Sequence, residues 1–397
     1  MPTNKILYKQ FCKACLCVTL PQIFVMIIGV NARLLITNQP EGIPRYIYEV
    51  VYQMAVQHPE TTFILYHDRK VTYSMTFPPN VQLKVIPLMT RHPLLWYIWF
   101  EILLPFYIKK DKVDVFYSGD GFLSKRVRIP QVLVTHDLAY LHFPQHMIQS
   151  HVTYSEKNIP VFHQIADAVI AVSETTKKDI VEKLHLSGNK IHVVYNAVDG
   201  NLSETNGKIS KKVEDLSVSA VPYFFFVGAL HPRKNIKNLC LGFVEFNKKN
   251  NHAYKLVLAG RYAWKSEDIE KLINDYPDII HVGTVTETEK NLLYQRSEAL
   301  VYLSLFEGFG IPILEAMKQN IPVITSDCSS MPEVAGDAAI LADPNDITSI
   351  SDALGKISDS ETRQHLINKG KSRFRDFSWK KSASNTYDIL EKACNKV

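Results

Sequence analysis

The chain is predicted to be an α/β protein of two Rossmann-like, parallel-sheet domains facing a cleft. Three observations predict this. Apolar runs of strand length alternate with helix-length segments from residue 26 onward. A polar stretch at 200–219, rich in Asn, Ser, Glu and Lys, interrupts the alternation, which then restarts. The 397 residues, 46% of them hydrophobic, are more than one ordinary core holds and enough for two. The expected organisation is an N-terminal extension at 1–25, a first domain at 26–199, a linker at 200–219, a second domain at 220–376 and a closing helix at 377–397.

Lys5, Lys9 and Lys13 precede or interrupt an apolar stretch that superficially resembles a signal peptide. Cleavage there would remove the strand expected at 26–31, on which a parallel sheet is built, so 1–25 is read as an extension or a weak membrane-touching tail, with Met26 a candidate start. Further strands are expected at 62–66, 81–86, 113–117, 131–135 and 168–172. Between them, the apolar and aromatic run at 93–106, flanked by Arg91, Lys109 and Lys110, fits either a buried helix or a surface that touches a membrane. After the linker, strands are expected at 223–228, 255–260, 279–283, 299–303 and 322–325. The segment Phe377-Ser378-Trp379 leads into a last helix near Leu390.

The formal charge of +5 is mild and spread along the chain, which favours small anionic ligands or headgroups over a nucleic-acid groove. Six cysteines, with Cys12, Cys15 and Cys17 crowded together, make no disulfide framework in a chain this long, and no second pair or nearby histidine completes a metal site with Cys12 and Cys15. A reducing cytosol is expected. No other stretch reaches the roughly 18 uninterrupted apolar residues of a membrane-spanning helix.

The chemistry concentrates on loops that follow strands. Leu305-Phe306-Glu307-Gly308-Phe309-Gly310-Ile311-Pro312-Ile313-Leu314-Glu315 joins a buried strand to a helix with Pro312 in its first turn. Gly308 and Gly310 let backbone approach a ligand, and the helix offers unpaired N–H groups to an anion, expected to be a phosphate. Glu315, one turn in, is placed to accept from ribose hydroxyls. Gly228, Gly260 and Gly283 end three strands on the same sheet edge, where ligands gather. Directly after Gly228, Arg233 can fork onto phosphate oxygens and Lys234 can act as a point charge. Ser330 is a candidate cap for a further helix opening at Pro332, with 329–333 as scaffold near the pocket.

Taken together, Arg233-Lys234 and the Glu307 to Glu315 segment resemble the retaining glycosyltransferases of family 4, of GT-B architecture. The likeness spans nearly the whole chain from Met26. It implies that Arg233 and Lys234 bind the diphosphate of a nucleotide-sugar, that Glu307 lies against the donor sugar and phosphates beside Phe309, and that Glu315 holds the ribose. Gly42, in Glu41-Gly42-Ile43-Pro44-Arg45, resembles the family glycine near the donor phosphate, although Pro44 stands where the family commonly has a small residue. His136 looks like the family histidine that reaches the transferred sugar, with Asp137 beside it. The architecture further implies that the last helix crosses back onto the first domain.

The activity implied is transfer of a hexose to a hydroxyl of a growing glycan in surface polysaccharide synthesis, with Arg233, Lys234 and the helix after Gly310 stabilising the leaving diphosphate. No cofactor or metal is implied, and the sequence offers no Asp-x-Asp motif. The acceptor would be a glycan or lipid-linked glycan, with peripheral membrane contact possible. The stretch at 329–339 resembles mannosyltransferases, which favours GDP-mannose, with UDP-sugars as the alternative. A nicotinamide-dependent oxidoreductase is disfavoured because neither half carries Gly-x-Gly-x-x-Gly. An epimerase or a phosphorylase of the same architecture is disfavoured by Arg233-Lys234 with the Glu307 to Glu315 spacing, and a non-catalytic nucleotide-sugar-binding protein would keep the fold without needing both cations and both carboxylates.

Overall fold

A computed structural model describes residues 26–37, 42–71, 75–198, 209–263 and 267–395; the extension expected at 1–25, with its three cysteines, and Glu41 lie outside these. Strands β1 (Ile27–Asn31), β2 (Thr62–His67), β3 (Val81–Val85), β4 (Val115–Ser118), β5 (Gln131–Thr135), β6 (Ala168–Ala171) and β7 (Ile191–Val193) form one sheet in the order β3-β2-β1-β4-β5-β6-β7. Strands β8 (Tyr223–Val227), β9 (Lys255–Ala259), β10 (Ile279–Gly283), β11 (Ala299–Tyr302), β12 (Val323–Ser326) and β13 (Ile340–Ala342) form a second in the order β10-β9-β8-β11-β12-β13. The pairings are parallel. The short strands β7 and β13 were not anticipated, because three residues carry too little periodicity to register.

Both sheets are covered on two faces, which explains why the strands read as continuous apolar runs. In β5, Val132 and Val134 face one apolar cluster while Leu133 faces another, and all three are fully buried. The strand order reverses between β1 and β4 in the first sheet and between β8 and β11 in the second. At such a point the loops leaving adjacent strands diverge to opposite faces and leave a crevice at the carboxyl edge.

The last helix, Trp379–Cys394, returns to the first domain, as the architecture implies. It packs on the helix Ile43–Gln57 and against β4, β5 and β6. Tyr387 shares a 2.7 Å hydrogen bond with Thr61 and stacks on His58, and Ser382 donates to the Tyr195 carbonyl at 2.6 Å. The expected linker is helical in its second half: Lys211–Val218 forms a helix, and Ser210 N donates to the Glu289 carboxylate at 2.8 Å. Its polarity is that of a solvated helix face on the second domain.

The 93–106 run is helical, with one face buried and the other exposed. Trp99, Phe100 and Leu104 are buried, whereas Leu94 (61% exposed), Tyr97 (49%), Ile102 (50%) and Phe106 (63%) face outward. Among the described residues no helix is long and apolar enough to cross a membrane.

Candidate active site

The loops after β1, β5, β8, β9, β10 and β11 enclose a cavity of about 500 Å³ between the domains. Gly42, His136, Gly228, Lys234, Gly260, Glu307, Gly308, Phe309, Gly310 and Glu315 line it, together with Arg45 and Asp137. Two expected residues are not part of the wall. Gly283 gives way to its neighbour Thr284, and Arg233 stands behind Glu307.

At the centre is a buried ionic cluster. Glu307 lies 2.6 Å from Lys234 Nζ and 3.1 Å from Arg233 Nη1. Burial alone would push the Glu307 carboxyl up, but Lys234 and then Arg233 outweigh it and hold the group at about 2. Lys234 also donates to the Tyr302 hydroxyl, and Arg233 to the Phe306 carbonyl. Two cations and one carboxylate leave the cluster with a net positive charge. The helix Ile311–Lys318 opens at Gly310, whose φ of 104° is left-handed, and no side chain caps it; Pro312 has no N–H and Ile313 N donates to the Gly310 carbonyl at 3.1 Å, so the Ile311 N–H is the first-turn donor left for an anion.

Toward the outer end, Glu315 accepts from Lys290 at 2.9 Å and from the Tyr294 hydroxyl at 3.1 Å. Burial favours the protonated form of Glu315, and Lys290 more than reverses this, leaving its pKa below the ordinary value. Lys290 also pairs with Glu287 at 2.9 Å, and Arg45 reaches across from the first domain to within 4.0 Å of Glu287. Sequence reasoning missed Lys290. The available signal was its place one turn into the helix Glu287–Arg296, after a strand ending in glycine.

On the opposite wall His136 Nε2 lies 2.8 Å from the Gly119 carbonyl. Burial keeps the imidazole pKa below its ordinary value despite that bond, so at neutral pH Nε2 carries the proton and Nδ1 is an acceptor.

The glycines differ in what requires them. A Cβ on Gly308 would lie 1.6 Å from the His136 carbonyl oxygen, so the neighbour that excludes a side chain there is the first domain. A Cβ on Gly260 would lie 1.9 Å from the Gly228 carbonyl oxygen, so that glycine lets two loops touch. Ser330 does not cap the helix Met331–Ala335. Its hydroxyl lies 2.8 Å from both the Glu307 and the Phe309 carbonyl oxygens, shares its one proton between them, and braces the loop instead.

Two parallel sheets with facing switch points, a crossing C-terminal helix and a cation–carboxylate cluster in the cleft define the GT-B class. A sucrose-phosphate synthase from Thermosynechococcus elongatus shares the fold at a TM-score of 0.72, with 15% identity over 94% of this chain and all of that one. Residues 40–201 match the model of Glycosyltransferase Family 4 and residues 208–373 that of Glycosyl transferases group 1. The chain therefore belongs to the family 4 glycosyltransferases and is a glycosyltransferase. Among similar proteins, O-antigen chain mannosyltransferase B of Escherichia coli is 26% identical over 88% of this chain and 96% of its own length. O-antigen chain mannosyltransferase RfbU of Salmonella typhimurium is 29% identical over 72% of this chain and 77% of its own.

Proposed function

We propose that the protein transfers mannose from GDP-mannose, with retention of anomeric configuration, to a hydroxyl of a growing glycan in cell-surface polysaccharide synthesis. The single observation that carries this is the Arg233–Lys234–Glu307 cluster set beside an uncapped helix start in the cleft. The resemblance to mannosyltransferases on both halves of the chain supports the sugar.

Breaking the anomeric bond develops negative charge on the diphosphate and positive charge on the sugar. Lys234 and the Ile311 N–H at the start of Ile311–Lys318 would meet the first, with Arg233 holding Glu307 in place behind them. Glu307, ionised throughout the physiological range, would balance the second and orient the sugar from within its ion pairs. A carboxylate so tied to two cations is a poor nucleophile, which favours attack from the leaving-group side with a diphosphate oxygen taking the acceptor proton. Neutral His136 offers Nδ1 to a sugar hydroxyl. Glu315, already oriented by Lys290 and Tyr294, would accept from the ribose.

The acceptor side is proposed to meet a membrane. Leu94, Tyr97, Ile102 and Phe106 form an exposed apolar strip beside exposed Arg91, Lys109 and Lys110, while Glu101 within the strip is buried. That pattern suits anionic lipid headgroups.

The test is thermal stabilisation by a panel of nucleotide-sugars, followed by product analysis by NMR. Selective stabilisation by GDP-mannose, lost in the Arg233→Ala, Lys234→Ala double variant, with an α-linked product, is the expected result. Stabilisation by a UDP-sugar alone would replace the donor, a β-linked product would replace the stereochemistry, and donor binding without transfer to any acceptor would indicate a binding protein.

A further inference from the structure

The segment 329–333 touches both domains. On its own side it grips the sugar-facing loop: Glu307 N donates to Ser329 Oγ at 3.1 Å, Ser329 Oγ donates to the Glu307 carbonyl at 2.7 Å, and Ser330 Oγ ties Glu307 to Phe309. Ser329 has φ 57°, a left-handed conformation uncommon outside glycine, so local backbone preference alone does not explain its position. On the other side Glu333 reaches the first domain. Its carboxylate accepts from Glu174 N at 2.7 Å, Thr175 N at 3.0 Å and Thr175 Oγ1 at 3.0 Å, while Thr175 Oγ1 also contacts the Ser329 carbonyl at 3.3 Å. These N–H groups open the helix Glu174–Leu184, where no intrahelical partner exists for them and the helix dipole favours a negative charge.

The same helix start receives the catalytic loop. Ser173 Oγ donates to the Gly308 carbonyl at 2.7 Å and Thr176 Oγ1 to the same oxygen at 3.2 Å. Gly308 lies against the His136 carbonyl. One helix of the first domain thus holds Glu333 by charge and Gly308 by hydroxyls, and the Ser329 and Ser330 hydroxyls join the two attachments.

We propose that Glu333 is a positioning residue for sugar transfer: by capping the first-domain helix Glu174–Leu184 from the second domain, it sets the interdomain register in which the Glu307 loop lies against His136. It touches no reacting atom. The residue is intermediate in burial and its main chain is anchored separately, since the Arg373 guanidinium donates to the Glu333 carbonyl at 2.6 Å and to the Val334 carbonyl at 3.1 Å. Removing the side chain therefore takes away one tie to the first domain, leaving the Ser173 and Thr176 bonds to Gly308 in place and residues 329–333 attached to the second domain.

The test compares Glu333→Ala and Glu333→Gln with the full chain by small-angle scattering without ligand, calorimetric binding of GDP-mannose, and transfer kinetics. Loss of a charged cap is expected to lower kcat about 10- to 100-fold in the alanine variant. The glutamine variant, which keeps one acceptor oxygen, should recover part of that loss. The GDP-mannose Kd should rise by less than kcat falls, because Lys234, Glu307 and Glu315 belong to the second domain and, of the proposed donor contacts, only Gly42 and His136 come from the first. The radius of gyration should rise for alanine and less for glutamine. An unchanged radius and kcat would overturn the proposal, as would a parallel fall in kcat, donor affinity and Tm, which marks a merely structural role. The kinetic arm rests on the donor proposed above. If GDP-mannose does not bind the unmodified chain, that donor fails while the ligand-free scattering still decides for or against Glu333.

Discussion

Replacing Gly308 by alanine isolates the contact between the domains. Gly308 is not among the residues with left-handed φ, so alanine suits its backbone and the effect comes only from what the new methyl meets. That methyl would lie 1.6 Å from the His136 carbonyl oxygen and 2.7 Å from its carbon. Carbon and oxygen sit comfortably at about 3.3 Å, so the loop and the first domain must separate by roughly 1.7 Å. The two hydroxyl bonds from Ser173 and Thr176 to the Gly308 carbonyl, at 2.7 and 3.2 Å, would stretch with it. A displacement of about 1 Å between reacting groups costs on the order of 100-fold in rate, equivalent to ~2.7 kcal/mol. The expected result is a kcat at least ~100-fold lower, with a smaller loss of donor affinity because Gly308 also lines the cavity. The assay is steady-state transfer at saturating donor, paired with calorimetric donor binding. A kcat within about threefold of the unmodified enzyme would refute the reasoning, as would a donor affinity that falls as far as kcat.

Acid stability should report on Glu307. Its folded-state carboxyl, at about 2, lies below the ordinary 4.5. The stabilisation is therefore present above pH 4.5 and lost as the pH falls toward 2, and the gap is worth ~3 kcal/mol. Urea unfolding should show Glu307→Gln less stable by about that amount at pH 6, with the difference closing near pH 2; a difference independent of pH would contradict the buried cluster. For the exposed strip, changing Leu94 and Phe106 to serine should lower binding to anionic vesicles at least ~10-fold and leave donor binding intact. Equal vesicle binding in a flotation assay would remove the membrane from the proposal.

Much of the fold was legible because its signals are local. A strand buried on both faces must be apolar throughout, so 131–135 and 223–227 announced themselves without neighbours. The glycines at strand ends, the proline opening Ile311–Lys318 and the Arg233-Lys234 pair are also local, since each reflects what one turn of backbone tolerates or what one loop offers an anion. Other features depend on which loops the sheet order brings together. Lys290 and Glu315 are 25 positions apart, yet they pair because β10 and β11 lie on opposite sides of β8 and β9 in one sheet whose loops share an edge. That Arg233 sits behind Glu307, that Ser330 braces a loop in place of capping a helix, and that Glu333 crosses to the first domain are likewise products of packing. By itself the sequence determined the alternation of elements, the two-domain architecture and the residues with charge to offer. Only the tertiary structure decided which of those charges neutralise one another and which face the cleft, because an ion pair forms by proximity in space and one chain does not encode its loop-to-loop distances in any local pattern.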